Sequence, residues 1–244
     1  MKQFGLIGYP LSHSFSKGYF SEKFQKENIT DCVYDVFPLE KIEDFTDLCA
    51  EHKNLSGLNA TIPYKEKIIP FLDELNDEAQ EIGAVNTIKF TNGKKIGYNT
   101  DCYGFEMSLK PLLKAHHTSA LILGTGGASK AVEYVLKKSG ISFQYVSRTK
   151  SSTSISYNDV DSFIIQHSTL IINSTPIGMY PNVDDAPYLP YNFITNNHLL
   201  YDLIYNPEET QFLKEGRIRG AQTKNGLEML YLQAERSWEI WNSR

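Results

Sequence analysis

The sequence has no apolar run approaching the roughly 20 residues that a membrane-spanning helix needs, and its opening stretch, MKQFGLIGYP, lacks the hydrophobic core of a secretory signal. Cysteine is scarce. Cys32, Cys49 and Cys102 are odd in number, widely spaced and form no CxxC, which argues against a disulfide framework or a structural zinc site. A basic excess is also missing: 24 Lys and Arg stand against 29 Asp and Glu, a formal net charge of −5, whereas nucleic-acid domains usually carry a basic patch or stripe. The expectation is a soluble, cytoplasmic protein with no membrane or nucleic-acid partner and no metal.

What the chain does have is material for a core, with 41% hydrophobic and 12% aromatic residues. Strand-length apolar runs (FGLIG, CVYDVF, LSGLNA, AVNTIKF, ALILG, FQYVS, TLIINS, LLYDLIY) alternate with segments of helical period such as SKGYFSEKFQKEN, LEKIEDFTDLCAEH and DCYGFEMSLKPLLKAH. This alternation predicts βαβ units, mainly parallel pairing and the α/β class. Pro111 should bend or shorten the third of these helices. His116 and His117, near its end, read as solvent-facing or helix-dipole residues. TKSSTSIS, Thr149 to Ser156, reads as a short polar loop. The final segment, NGLEMLYLQAERSWEIW, is amphipathic, with Leu227, Leu230, Tyr231, Ala234, Trp238 and Trp241 available for one broad face that needs a partner surface.

From Ala120 the chain restarts as strand, glycine turn and helix: ALILGTGGASKAVEYVLKKSG. Gly124, Gly126 and Gly127 occupy the turn, Ala128 follows, and Ser129 stands where a third fingerprint glycine would fall. Glycine permits close backbone approach, and the next helix start offers N–H groups to a pyrophosphate. A ligand-free tight turn would use the same residues. After the following strand comes Ser147-Arg148-Thr149-Lys150, where an NAD site would typically place an acid for the ribose 2′-hydroxyl. Arg148 offers a planar fork to a 2′-phosphate, with Thr149 and Lys150 as help, so NADP is favoured and NAD is the alternative. A solvated strand end explains the same charges. Asn173, Ser174 and Thr175, in INSTPIGMY, fall at a carboxyl strand edge, where they could touch ribose or merely form a turn.

The first half is rich in small polar residues near predicted strand ends. GYPLSHSFS carries Ser12, His13, Ser14 and Ser16, of which one serine could cap the next helix. Asn59, Thr61, Lys65, Asn86, Thr100 and Asp101 each have a local structural explanation; together they suit a polyhydroxylated small molecule.

These segments resemble the shikimate dehydrogenase family. GYPLSHSFS is similar to its serine motif, NATIPYK to its Asn-x-Thr-x-Pro-x-Lys motif, and GAVNTI and GYNTDCYGF to the next two. GTGGAS, SRT, NSTPIGM and KNGLEMLYLQA resemble its cofactor and closing motifs, all in the family's order along nearly the whole chain. The resemblance implies a substrate-binding catalytic domain over residues 1–101, completed by a C-terminal helix within 226–244, and a Rossmann-like dinucleotide-binding domain over 102–225. It implies reversible hydride transfer between NADP(H) and C3 of shikimate or 3-dehydroshikimate, with Lys65 and Asp101 as catalytic pair. Ser14, Ser16, Asn59, Thr61, Asn86, Tyr205 and Gln233 are expected at the substrate. Gly124, Gly126, Gly127, Ala128, Ser147, Arg148, Thr149, Lys150, Ser174, Thr175 and Gly226 are expected at the cofactor.

The chain departs from the family pattern at Lys17, where proline usually follows the second serine, at Ser147, where asparagine is frequent, and at Ser152, near the place of a second basic residue. Quinate or an amino-shikimate with relaxed NAD use is a close alternative, and a ligand-binding protein without catalysis is an alternative of a different class. A monomer and a homodimer are both compatible with the sequence.

Overall fold

The computed structural model describes residues 1–11 and 15–243. The chain divides into two units, Met1–Thr100 together with the chain from Ala234, and Asp101–Gln233. The first contains β1 (Lys2–Gly8), α1 (Phe15–Lys26), β2 (Cys32–Pro38), α2 (Phe45–Glu51), β3 (Leu55–Ala60), β4 (Glu74–Leu75), α3 (Asp77–Ile82), β5 (Thr87–Thr91) and β6 (Lys94–Tyr98). The second contains α4 (Asp101–Leu109), β7 (Ser119–Leu123), α5 (Gly127–Lys138), β8 (Ser142–Ser147), β9 (Ser154–Ser156), α6 (Ser162–His167), β10 (Leu170–Asn173), β11 (Leu199–Asp202), α7 (Gln211–Arg217) and β12 (Gln222–Lys224). The last helix, α8 (Leu227–Asn242), starts in the second unit and finishes in the first.

The α/β class expected from the sequence is what the chain adopts. In the first sheet the order is β2-β1-β3-β5-β6-β4. β1 runs parallel to β2 and β3, and β4 parallel to β6; β5 is antiparallel to both of its neighbours. Asn92 and Gly93, both with positive φ (50 and 75), make the two-residue turn from β5 into β6. β6 is not evident from the sequence, because KKIGY shows little of the apolar alternation that marks a half-buried strand. α3 follows local rules more plainly: Asn76 Oδ1 accepts the Ala79 N–H at 3.0 Å to cap its start, and Gly83 ends it at φ 68.

The aromatic residues close one face of this sheet. Phe4, Phe20, Phe24, Tyr34 and Trp241 form a buried cluster, with Trp238 packed against it. The ring of Phe4 stacks on Trp241 at 4.9 Å and meets Trp238 edge-on at 5.4 Å, so the end of α8 is an integral layer of the first unit. Trp241 lies over Gly57, where a Cβ would collide with its indole, and its Nε1 donates to the Ile88 carbonyl at 3.0 Å. The expected apolar face of α8 needs correcting at two positions. Leu227 and Tyr231 are exposed, while Met229, Gln233, Ala234, Ser237, Ile240 and Trp241 are buried. Ser237 belongs to the inner stripe because it meets Asn59, Thr87 and Thr100 there, and buried Gln233 donates to the Leu230 carbonyl at 2.8 Å, so hydrophobicity alone does not find the face.

All five strand pairs of the second sheet are parallel, in the order β12-β11-β10-β7-β8-β9. Counted within the unit this is the doubly wound order 3-2-1-4-5-6, with the connection reversing direction between β7 and β10. Pro111 acts as expected: α4 stops at Leu109 and a single 3-10 turn, Lys110–Leu112, follows. Two readings fail. The expected polar loop contains β9, whose buried Ser154 hydroxyl pairs with those of Ser147 (3.1 Å) and Ser151 (2.8 Å) while Ile155 packs against the core of the unit. His117 is buried rather than solvent-facing; its Nδ1 accepts the Lys114 N–H at 3.0 Å, and burial lowers its pKa.

Candidate active site

β3 of the first unit delivers Asn59 to the buried end of the sheet, and the turn after it carries Thr61 and Lys65. Thr61 is fixed by its backbone, donating to Ile7 O at 2.9 Å and accepting from Tyr64 N–H at 2.8 Å. Tyr64 is buried, with its hydroxyl on Leu39 O, so the turn is anchored by an aromatic ring while the next side chain, Lys65, stays half-buried. The Lys65 carbonyl accepts from Val85 N–H at 2.7 Å. That bond ties the lysine's turn to the segment leading into β5.

Asn86 then joins this segment to the next. Its Oδ1 accepts the Thr100 N–H at 2.7 Å, its Nδ2 donates to Thr100 Oγ1 at 2.9 Å, and its backbone carbonyl accepts from Ala60 N–H at 2.9 Å. The residue after Thr100 is Asp101, buried at the first position of α4. Backbone and amide bonds thus knit the segments at 60–65, 85–87 and 98–100 into one scaffold.

The Asn59 side chain is heavily engaged. Its Oδ1 accepts from the Tyr34 hydroxyl at 2.8 Å, and its Nδ2 lies within hydrogen-bond distance of Asn86 O, Thr87 Oγ1 and Ser237 Oγ. Tyr34 also hydrogen-bonds Ser16, and burial pushes its phenol well above the usual range, so it remains a neutral donor. Ser237 reaches Thr87 at 2.7 Å and Thr100 at 3.2 Å. Ser14 lies outside the described residues. Gln233 is buried on α8 and Tyr205 is exposed beyond β11, both within the second unit.

In that unit the glycine turn stands at the switch point. Gly124 has φ 99, its N–H bonds Val146 O at 2.8 Å, and a Cβ there would stand 2.8 Å from Thr175 Cγ2 and 3.1 Å from Ser174 Oγ. Ser174 donates its hydroxyl to Leu123 O at 2.6 Å, binding the ends of β7 and β10 together. Gly126 is different: it caps α5 in extended backbone, and a Cβ on it would meet nothing within 4 Å. Gly127 and Ala128 open α5. Open ground before a helix start, with N–H groups directed into it, suits a phosphate. Ser129 sits in the place of a third glycine without obstructing the turn, since it is buried and donates its hydroxyl back to Gly126 O at 2.6 Å.

After β8, Arg148, Thr149 and Lys150 are exposed, while Ser147 bonds the Thr149 carbonyl. Lys150 also lies 3.6 Å from Asp159 Oδ2. Two cationic groups and a hydroxyl in one exposed loop fit the 2′-phosphate of NADP. Gly226 serves packing as well, because a Cβ there would run into the Leu203 carbonyl.

Against known proteins, residues 6–88 match the profile of the shikimate dehydrogenase substrate binding domain. A shikimate dehydrogenase (NADP(+)) from Carboxydothermus hydrogenoformans is 38% identical over 256 residues, covering 97% of this chain and 90% of that relative. The chain belongs to the shikimate dehydrogenase family. Among solved structures, the shikimate dehydrogenase of Aquifex aeolicus is 36% identical with a TM-score of 0.88, over 99% of this chain and 92% of that one. Shikimate 5-dehydrogenase from Thermus thermophilus, in complex with NADP(H) and shikimate, is 29% identical with a TM-score of 0.87, over 99% and 94%.

Within this shikimate dehydrogenase family member, several buried polar residues escaped the sequence reading. Tyr34, Thr87 and Ser237 complete the scaffold around Asn59, and Asp202 and Thr210 form a second network behind Asn173. A signal existed for two of them: Ser237 interrupts the inner stripe of α8, and Asp202 is an acid inside the apolar run LLYDLIY. Burial pushes the Asp202 carboxyl up to about 6.

Proposed function

We propose that this chain is an NADP-dependent shikimate dehydrogenase, an oxidoreductase that reversibly reduces 3-dehydroshikimate to shikimate on the route to chorismate and the aromatic amino acids. The observation that carries this reading is its likeness, over nearly the full length, to relatives named for that activity. Lys65 and Asp101 stand at the motif positions of the catalytic pair.

When bound, NADPH would supply the hydride for the C3 carbonyl carbon. Negative charge then develops on the carbonyl oxygen, and Lys65 donates the proton that neutralises it; in the reverse direction Lys65 accepts that proton. Asp101 orients Lys65 and bonds a substrate hydroxyl. Ser14, Ser16, Thr61, Asn86, Tyr205 and Gln233 hold the remaining hydroxyls and the carboxylate. Asn59 joins them mainly by fixing Tyr34 and, through it, Ser16, since direct contact with substrate would require exchanging one of its present bonds. Gly124, Gly126, Gly127 and Ala128 accommodate the pyrophosphate, with Ser147, Arg148, Thr149 and Lys150 at the 2′-phosphate, and Ser174, Thr175 and Gly226 along the dinucleotide.

A second reading, relaxed use of NAD with shikimate or quinate, is favoured by the Lys150–Asp159 approach at 3.6 Å, in which one of the loop's two cations already has a carboxylate neighbour. We place the protein in the cytoplasm as a monomer or homodimer acting on small molecules. Cys32 and Cys49 support that compartment as free thiols, both pushed up to about 11 by burial and so poorly reactive. Among the described residues no helix is long and apolar enough to cross a membrane. The test of the catalytic assignment is Lys65→Ala: turnover should fall at least a hundredfold while shikimate still raises the melting temperature. Full turnover in the variant would remove Lys65 from the mechanism.

A further inference from the structure

Asp202 ends β11 with none of its surface exposed, and the chemistry above makes no use of it. Its Oδ1 accepts from Asn173 Nδ2 and from the Ile204 N–H, both at 3.0 Å, and its Oδ2 accepts from the Thr210 hydroxyl at 2.6 Å. An ionised carboxylate can only accept, so it selects the NH₂ side of the Asn173 amide. The carbonyl side faces Thr175, where Asn173 Oδ1 accepts both the backbone N–H (3.1 Å) and the hydroxyl (2.6 Å), while Nδ2 makes a longer second bond to the Ile177 carbonyl at 3.3 Å in the same sense. Thr175 in turn is the residue whose methyl closes on Gly124. A neutral amide at 202 would keep its oxygen on the Ile204 N–H and Asn173 and turn its NH₂ to the Thr210 hydroxyl, so it would retain the arrangement but lose the charge that strengthens the bond to Asn173. Keeping this carboxylate ionised at neutral pH costs stability, because burial has raised its pKa to about 6, and a well-packed neutral side chain would avoid that cost.

We propose that Asp202 is a positioning residue of the cofactor site, whose carboxylate fixes the amide of Asn173 and through it holds Thr175 against the glycine turn at the switch point of the second sheet. The inference rests on the NADP reading above. A purely structural Asp202 would need only its bonds to Ile204 and Thr210, which do not lead to the turn.

The experiment is titration of NADPH fluorescence on Asp202→Asn, Asn173→Ala, their double variant and Thr210→Val, with steady-state kinetics alongside. Asp202→Asn should weaken NADPH binding about tenfold, the effect of one charge-assisted hydrogen bond, and move the KM for shikimate less than twofold. In the Asn173→Ala background the same change should add less than twofold, since the relay is already cut. Thr210→Val, which removes the Oδ2 bond and leaves the Asn173 bond, should also stay within twofold. Unchanged NADPH affinity in Asp202→Asn, an undiminished effect in the Asn173→Ala background, or an equal loss in Thr210→Val would overturn the proposal. Should Asp202→Asn not fold, the contrast between Asn173→Ala and Thr210→Val decides in the same way. Absence of NADPH binding by the unaltered protein would defeat the NADP reading itself, which is a different result from equal binding by the protein and Asp202→Asn.

Discussion

Asn86 takes the backbone N–H of Thr100 on its side-chain oxygen at 2.7 Å, so the start of α4, and with it Asp101, is set by an amide in the neighbouring segment. Both residues are buried, and Thr100 is wholly so. Replacing Asn86 by Ala leaves a buried N–H without this acceptor. The expected loss is about 2–3 kcal/mol of unfolding free energy in urea, the desolvation cost of an unsatisfied buried donor plus the lost amide bonds. A loss under about 0.5 kcal/mol would mean that water or a backbone shift satisfies Thr100 instead.

Ser237 bridges Thr87, Asn59 and Thr100 from α8. Ser237→Ala should cost about 1–2 kcal/mol and raise the KM for shikimate several-fold while leaving the KM for NADP⁺ as it was. Steady-state kinetics with each substrate varied separately distinguishes this from general loosening, which would move both constants.

Two glycines of the second unit should respond in opposite ways to the same methyl. At Gly126 it enters open ground, so Gly126→Ala should fold with unchanged stability and bind NADP⁺ more weakly, because the methyl takes space meant for phosphate. At Gly226 it meets the Leu203 carbonyl, and Gly226→Ala should destabilise by about 1–3 kcal/mol, as overpacking does. Thermal melts with and without NADP⁺ test both; equal melting of the two variants would contradict the account.

These positions also mark what the sequence disclosed. The glycine turn, the parallel sheet around it and the helix break at Pro111 follow from local rules that act within a few residues, and so were legible. Ser237 and Tyr34 act through partners far along the chain, Asn59 being 178 and 25 residues away, and no local rule reports such a pairing. β9 escaped because it is three residues long, with a single apolar residue, Ile155, packed on the core between two serines. The outward turn of Leu227 and Tyr231 escaped because α8 passes from one unit to the other, so a single hydrophobic stripe does not describe its whole length.

The buried Asp202 gives stability a pH dependence of known sign. Its pKa in the folded protein, about 6, lies above the ordinary 3.8 of the unfolded chain. As pH rises from 4 to 7 the unfolded chain releases this proton first, so folding stability falls over that window, by up to about 3 kcal/mol at roughly 1.4 kcal/mol per unit. Asp202→Asn removes this component. The unfolding free energy of the variant minus that of the unaltered protein should therefore grow between pH 4 and pH 7; a constant difference would show that the carboxyl does not titrate there.

Arg148 is expected to recognise the 2′-phosphate with its planar fork. Arg148→Ser should raise the KM for NADP⁺ about 10- to 100-fold, as loss of a charge-assisted pair does, and change that for NAD⁺ little. A parallel rise for both cofactors would assign Arg148 to the loop's structure.

The decisive measurement is initial-rate spectrophotometry of nicotinamide reduction, with shikimate or quinate crossed against NADP⁺ or NAD⁺ and Lys65→Ala beside the unaltered protein. Turnover should concentrate in the pair shikimate and NADP⁺ and be lost in Lys65→Ala. Comparable rates with quinate or NAD⁺ would contradict the specificity, and no turnover with any pair, in a folded protein that still binds shikimate, would contradict the enzyme itself.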